Sequence, residues 1–303
     1  IAGAMATGSS TNLVLHLMAI AHEAGVELNL SDFDEISRKV PFVCNLQPSG
    51  RYPIVSLDNA GGIPAVLKTI RYALHEDSLT VTGKTLHELL QDVEVHPDDV
   101  LKTLDHPQKP EGGIAVLHGN LAPKGAVVKQ SGVNKKMYHF RGRARCFSSM
   151  EEADAAISGD TIEKGTVIVI RYEGPKGGPG MREMLSTTSL IMGRKMDLDV
   201  ALVTDGRFSG ATHGPCIGHV SPEAVNGGPI AFVQDGDWIE IDIPNRTLTL
   251  EVSDEELARR KENWKPLIKP RLPALAKYAA LVGSSDTGAV VDIENLKYSK
   301  PTF

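Results

Sequence analysis

Apolar residues recur at helical spacing from the start of the chain. Leu13, Leu17, Ile20 and Ala24 mark one face of the run Leu13 to Ala24; Ser10-Thr11-Asn12 stand before it as capping residues, and Gly25 stands where a helix stop belongs. A second helix is predicted over Asp32 to Lys39, with Ser31 and Asp34 as a capping-box pattern and Pro41 as the stop. Pro48-Ser49-Gly50 reads as a turn. Gly61-Gly62 then precede a helix from Pro64 to Leu74, Leu79 to Val81 reads as a short strand, and Leu86 to Val93 as another helix. The first third of the chain is therefore helix-rich.

From Lys102 to Gly113 the sequence turns polar and Pro-rich, the composition of an interdomain linker. Strand patterns dominate beyond it: Ile114 to Leu117, Ala126 to Lys129, Ala144 to Phe147, Val167 to Tyr172, Ala201 to Thr204, Ile230 to Val233, Trp238 to Ile243 and Leu248 to Val252. Short helices interrupt them. Ser149 with Glu152 caps one that ends at Gly159, Ser221-Pro222-Glu223 has the Ser-cap and Pro-N1 arrangement, and Ser253 with Glu256 caps a charged helix through Trp264. The pattern predicts a barrel-like β domain with flanking helices after a helical first part.

Length agrees with two hydrophobic cores, since 303 residues with 41% hydrophobic content exceed one ordinary domain. The 32 basic and 38 acidic side chains leave a net charge of −6 with no basic block, which argues against nucleic acid as a partner. No apolar run has the length that spans a bilayer, so the chain reads as soluble and cytoplasmic, or of an organelle matrix in a eukaryote. Cys44, Cys146 and Cys216 lie far apart without a C-x-x-C pair, and they read as separate reduced thiols. The opening Ile1-Ala2-Gly3-Ala4-Met5-Ala6 has no initiator Met and runs straight into apolar sequence, which suggests residues upstream.

Two segments could carry chemistry. Arg171 to Leu185 (RYEGPKGGPGMREML) follows the apolar strand Val167 to Ile170 and packs glycines and prolines into a loop at the strand's C-terminal edge, where α/β proteins place their sites. A surface turn is the plain alternative. Thr204 to Thr212 (TDGRFSGAT) follows a second apolar strand and can project Ser209 from a sharp turn. It is not G-x-S-x-G, so a serine triad is a poor reading despite His213 and His219 nearby, and lone histidines in such runs are more often structural. Thr82-Gly83-Lys84-Thr85 mimics the end of a P-loop, but Ser78 stands where its first glycine is required.

Together with Gly8 to Asn12, Leu15-His16-Leu17, Asp58 to Pro64, Val81 to Leu86, Gly119 to Pro123, Gly218 to Glu223, Ile243 to Arg246 and Ser253 to Leu257, these segments resemble the dihydroxy-acid/phosphogluconate dehydratase family over nearly the whole chain. GPKGGPGMREML and DGRFSG resemble its dihydroxy-acid branch, whereas the phosphogluconate branch has Met in place of Phe208. The resemblance implies an α/β fold: residues 1–105 as the C-terminal portion of an N-terminal α/β domain, and residues 112–303 as a swivelling β/β/α domain. It implies Glu183 as a Mg²⁺ ligand and Ser209 as the catalytic base in the dehydration of 2,3-dihydroxy-3-methyl acids to 2-keto acids, a step of valine and isoleucine synthesis. An iron–sulfur cluster, the other magnesium ligands and a carbamylated lysine are expected in an upstream half, and the family is typically a homodimer. Ser10 and Asn12, at a helix N-terminus, are expected on the substrate side. Gly8-Ser9-Ser10, Thr187 and Gly210-Ala211 depart from the family's usual Gly-Gly-Ser, Pro and Gly-Gly, which touches loop geometry only. A sugar-acid dehydratase with the same chemistry and a non-catalytic binding module are the competing readings.

Overall fold

The computed structural model describes residues 1–269 and 271–291. Six short helices come first: α1 (Ala2–Thr7), α2 (Asn12–Glu23), α3 (Leu30–Lys39), α4 (Ser56–Asn59), α5 (Gly62–Thr69) and α6 (Leu86–Leu90). They share one core built on Met5, Val14, Met18, Phe33, Val66 and Ile70. Helix α2 lies where its apolar spacing predicts, though Asn12 is already inside it and Thr11 is the N-cap. The capping box of α3 belongs to Asn29 and Asp32 rather than Ser31 and Asp34, which extends the helix back to Leu30. Leu79 to Val81 is not a strand, because Leu79 pairs only with Thr85 in an isolated bridge and Val81 is fully exposed. Thr85, the last residue of the P-loop mimic, instead caps α6 with Glu88 as its capping-box partner.

The remainder is one eight-stranded sheet. Its strands are β1 (Ala115–Leu117), β2 (Gly125–Val128), β3 (His139–Phe147), β4 (Thr166–Ile170), β5 (Ala201–Thr204), β6 (Cys216–Ser221), β7 (Trp238–Asp242) and β8 (Thr247–Leu250), in the spatial order β1-β2-β6-β5-β4-β3-β7-β8. Strands β3, β4, β5 and β6 run parallel, and the other pairs are antiparallel. His118 pairs with Thr247, its N–H donating to the Arg246 carbonyl (2.9 Å) while its carbonyl accepts from Leu248 N (2.8 Å). That pairing joins the first strand to the last and nearly closes a barrel, so the α/β class with a barrel-like second part is what forms.

Alternation along the strands separates two cores. Val167, Val169, Ala201, Val203 and Leu248 fill the barrel. Ile168, Ile170 and Leu202 face outward under α7 (Met150–Ser158) and α8 (Leu185–Gly193), the crossovers between the parallel strands. Burial on both faces explains why β4 and β5 read as unbroken apolar runs. Two expectations fail here. Ile230 to Val233 is a 3₁₀ turn (Pro229–Phe232), and Ser221-Pro222-Glu223 does not start a helix: Ser221 ends β6, and a single 3₁₀ turn (Ala224–Asn226) follows. Helices α9 (Asp254–Glu262), capped by Ser253, and α10 (Pro273–Leu281) flank the barrel.

Arg246 ties the helical part to the barrel. Its guanidinium donates to Asp34 of α3 (2.7 Å), to Glu111 in the connecting segment and to the Ile243 carbonyl (2.6 Å), and its side chain is only 5% exposed.

Candidate active site

Adjacent parallel strands release their loops on the same edge of a sheet, and β4 and β5 are such a pair. The Gly/Pro loop after β4 carries Glu183; the turn after β5 carries Ser209. The loops are stitched together: the backbones of Glu183 and Arg207 pair in an isolated parallel β-bridge, Met184 N donates to the Arg207 carbonyl (3.0 Å), and Arg207 Nε donates to the Met181 carbonyl.

Helix α2 supplies a third wall. The Asn12 amide Nδ2 donates to Glu183 Oε1 and to the carbonyl of Phe208 (3.3 Å), the residue before Ser209. Ser10 Oγ accepts from Asn12 N (3.2 Å). Ser10 also sits against Gly210, where an added Cβ would lie 3.1 Å from the Ser10 Cβ, so the two chain segments approach closely here. Ser10, Asn12 and Glu183, far apart in sequence, thus form one cluster with Phe208 and Gly210, the two neighbours of Ser209.

The turn at Ser209 is held by Thr212, whose hydroxyl (2.6 Å) and N–H (3.2 Å) both donate to the Ser209 carbonyl, and by Lys129 Nζ, which donates to the Gly210 carbonyl (2.8 Å). The N–H of Ala211 points at Ser209 Oγ at 3.5 Å. Burial pushes Lys129 down to about 8, yet at neutral pH it still supplies positive charge at the Gly210 carbonyl, one residue from Ser209.

A hard cation is suited by this donor set. The Asn12 Oδ1 is buried with no partner among the described residues, and turning the amide over would set that oxygen beside the Glu183 carboxylate, an arrangement a Mg²⁺ ion favours. Octahedral coordination needs more oxygens than these, and no cluster of three or more His, Cys, Asp or Glu suited to a metal occurs among the described residues. The thiols do not fit an iron–sulfur cluster. Cys44 belongs to the helical core, Cys146 packs against the barrel core and Cys216 lies under α8, with burial pushing each up to about 12.

Along α2, one turn beyond Asn12, a cavity of about 330 Å³ adjoins the cluster. Leu15, Ile20 and Met181 give it apolar walls, while His16, Arg207 and Tyr278 give it polar ones. His219 is buried with neither ring nitrogen partnered among the described residues, and burial, helped by Arg207, lowers it to about 3, so it is neutral. Sequence reasoning did not single out Asp205, Glu173, Glu223 or Lys129, all buried around the two loops. Asp205, Glu173 and Glu223 left a trace only inside the TDG, YEG and SPE wording, and Lys129 only as the end of the predicted strand Ala126 to Lys129.

Two family models match: "Dihydroxy-acid/6-phosphogluconate dehydratase C-terminal" over residues 99–289 and its N-terminal counterpart over residues 1–89. The chain belongs to this family. Among its relatives are dihydroxy-acid dehydratases of Ignicoccus hospitalis (56% identical over 291 residues), Clostridium novyi (56% over 292) and Pyrococcus furiosus (55% over 289). Each alignment takes in 95% of this chain but only 52–53% of the relative, so the chain spans about half the length of these dehydratases. No helix among the described residues is long and apolar enough to cross a membrane.

Proposed function

We propose that the chain supplies the base and one metal ligand of a dehydratase that converts 2,3-dihydroxy-3-methyl carboxylates to 2-keto acids in branched-chain amino acid synthesis. The observation that carries this is the Asn12 amide, bonded at once to Glu183 and to the backbone leading into Ser209. Glu183 would hold Mg²⁺, which when bound would neutralise charge that builds on the substrate's carboxylate and 2-hydroxyl.

Ser209 Oγ takes the C2 proton. A serine hydroxyl is ordinarily far too weak an acid to be ionised, and the Ala211 N–H and the Lys129 ammonium on the Gly210 carbonyl are the groups of this chain that favour its charged form. As Ser209 takes the C2 proton, the C2–H electron pair forms the C2=C3 bond and the C3 hydroxyl departs as hydroxide; it leaves as water with the proton returned from Ser209, and the enol that remains tautomerises to the keto acid. Ser10 and Asn12 line the substrate's path at the start of α2. The iron–sulfur cluster and the other magnesium ligands belong, in this reading, to an upstream half of a cytoplasmic homodimer, with residues 1–105 completing the α/β domain of that half and residues 112–303 forming the C-terminal domain.

Ser209→Ala in the full-length protein should reduce turnover by about 10²–10⁴-fold, the usual worth of a positioned base, without changing bound metal. Near-normal turnover in that variant would remove Ser209 from the mechanism. Competition between dihydroxy-methyl acids and sugar acids tests the substrate class.

A further inference from the structure

We infer that Asp205 and Glu223 are positioning residues whose buried carboxylates set the loop of residues 172–184, and with it Glu183, against Ser209. The inference deepens the function proposed above and takes the roles of Glu183 and Ser209 from it.

Both side chains are almost fully buried, Asp205 at 0% and Glu223 at 1% exposure. Among the described residues their hydrogen bonds go to backbone N–H groups. Asp205 accepts from Tyr172 (3.1 Å), Glu173 (3.0 Å) and Ala224 (2.9 Å); Glu223 accepts from Lys176 (3.0 Å) and Gly177 (2.9 Å). Four of these five donors belong to the Gly/Pro loop. Buried carboxylates are costly unless fully hydrogen-bonded, and here that bonding is directed at the course of one loop rather than at an ion pair.

Local geometry shows how closely the loop follows them. Tyr172 has φ +64, the left-handed region that a bulky residue avoids, and its N–H is turned onto Asp205. A Cβ on Gly174 would lie 2.6 Å from Glu223 Oε2, so the backbone passes directly over that carboxylate. The far end of the loop is tied by Glu173, which the same Asp205 orients: its carboxylate accepts from Arg182 (3.2 Å) and Lys269 (3.0 Å). Arg182 precedes Glu183, and Asp205 lies four residues before Ser209 on the opposing turn. One pair of carboxylates therefore controls both sides of the candidate metal and base site.

Hydrogen exchange on the full-length protein, read peptide by peptide, tests this independently of activity. In Glu223→Ala the Lys176 and Gly177 amides should exchange at least about tenfold faster, the effect of losing hydrogen bonds to a buried acceptor, with the barrel strands unchanged. The Mg²⁺ concentration giving half-maximal turnover should rise by a similar factor, with a smaller loss of turnover at saturating Mg²⁺. Glu223→Gln keeps the volume and one acceptor oxygen, and should fall between the two; if the alanine variant does not fold, loop-confined loosening in the glutamine variant decides in favour. Wild-type exchange over 172–184 in a folded variant overturns the proposal, as does loosening spread evenly over the barrel. Should the loop loosen while Ser209→Ala keeps its turnover, the proposed reaction falls and the positioning role stands.

Discussion

Arg246→Ala should loosen the joint between the helical part and the barrel, across which the candidate site is built. The guanidinium is bonded to Asp34, Glu111 and the Ile243 carbonyl, and reaches Gln130 Oε1 at 3.4 Å. Burial alone would push the Asp34 carboxyl up, but its bonds to Arg246 and Arg38 outweigh that and hold it below the ordinary carboxylate range. Removing one partner of a buried pair costs about 3–5 kcal/mol, because the other charge stays behind. Asp34 is 19% and Glu111 38% exposed, so water re-solvates part of what is left and the cost falls to roughly 2–3 kcal/mol. With an unfolding entropy of about 2.1 cal/mol/K per residue over this chain, Tm should drop by about 4 °C. Calorimetry of Arg246→Ala, Asp34→Ala and the double variant would measure both the drop and a coupling of about 1–2 kcal/mol. Turnover should fall as well, since Asn12 stands on the helical side and Glu183 and Ser209 on the other. A Tm within 1 °C (about 0.6 kcal/mol) of the parent, or strictly additive single effects, would refute the clamp.

Gly119→Ala strikes the barrel's closure: at φ +155 an added Cβ would lie 2.1 Å from the Leu248 carbonyl oxygen, so denaturant unfolding should show a loss of more than about 3 kcal/mol, and an unchanged midpoint would contradict the closed arrangement. Glu223 gives a pH signature. Burial pushes its carboxyl up to about 7 from the ordinary 4.5, against the pull of the Gly177 and Lys176 N–H groups. A folded-state value above the unfolded one means that its contribution to stability is complete below about 4.5 and fades as pH rises through about 7. Glu223→Gln should flatten that part of the stability–pH curve, and curves that stay parallel between pH 4.5 and 7 would show that the side chain is not buried as described.

Local signals in the chain were strongest where local physics decides the structure. Ser149, Thr85 and Ser253 each bond the N–H three residues on and start a helix, and the apolar runs of β4 and β5 became central strands. Strand β6 escaped notice because Cys-Ile-Gly-His-Val-Ser has neither alternation nor a continuous apolar character, yet all six residues are buried. Its Ser221 is a polar residue that a neighbouring segment makes tolerable, Ser284 bonding its hydroxyl (2.9 Å), and its His219 is buried in the neutral form. Ile230 to Val233 failed for the opposite reason: its apolar side chains fill the core from a 3₁₀ turn that needs no strand partner.

By itself the sequence determined the wording of the two loops, the family they resemble and the strands that feed them, because caps, apolar runs and Gly/Pro loops act over a few residues. Only the tertiary structure decided that Asn12 meets Glu183 across 171 positions, that Arg246 locks α3 to the barrel and that Asp205 and Glu223 lie beneath the glycine loop. Those contacts depend on strand order and on burial, and a buried carboxylate gains its meaning from the N–H groups that the fold brings to it.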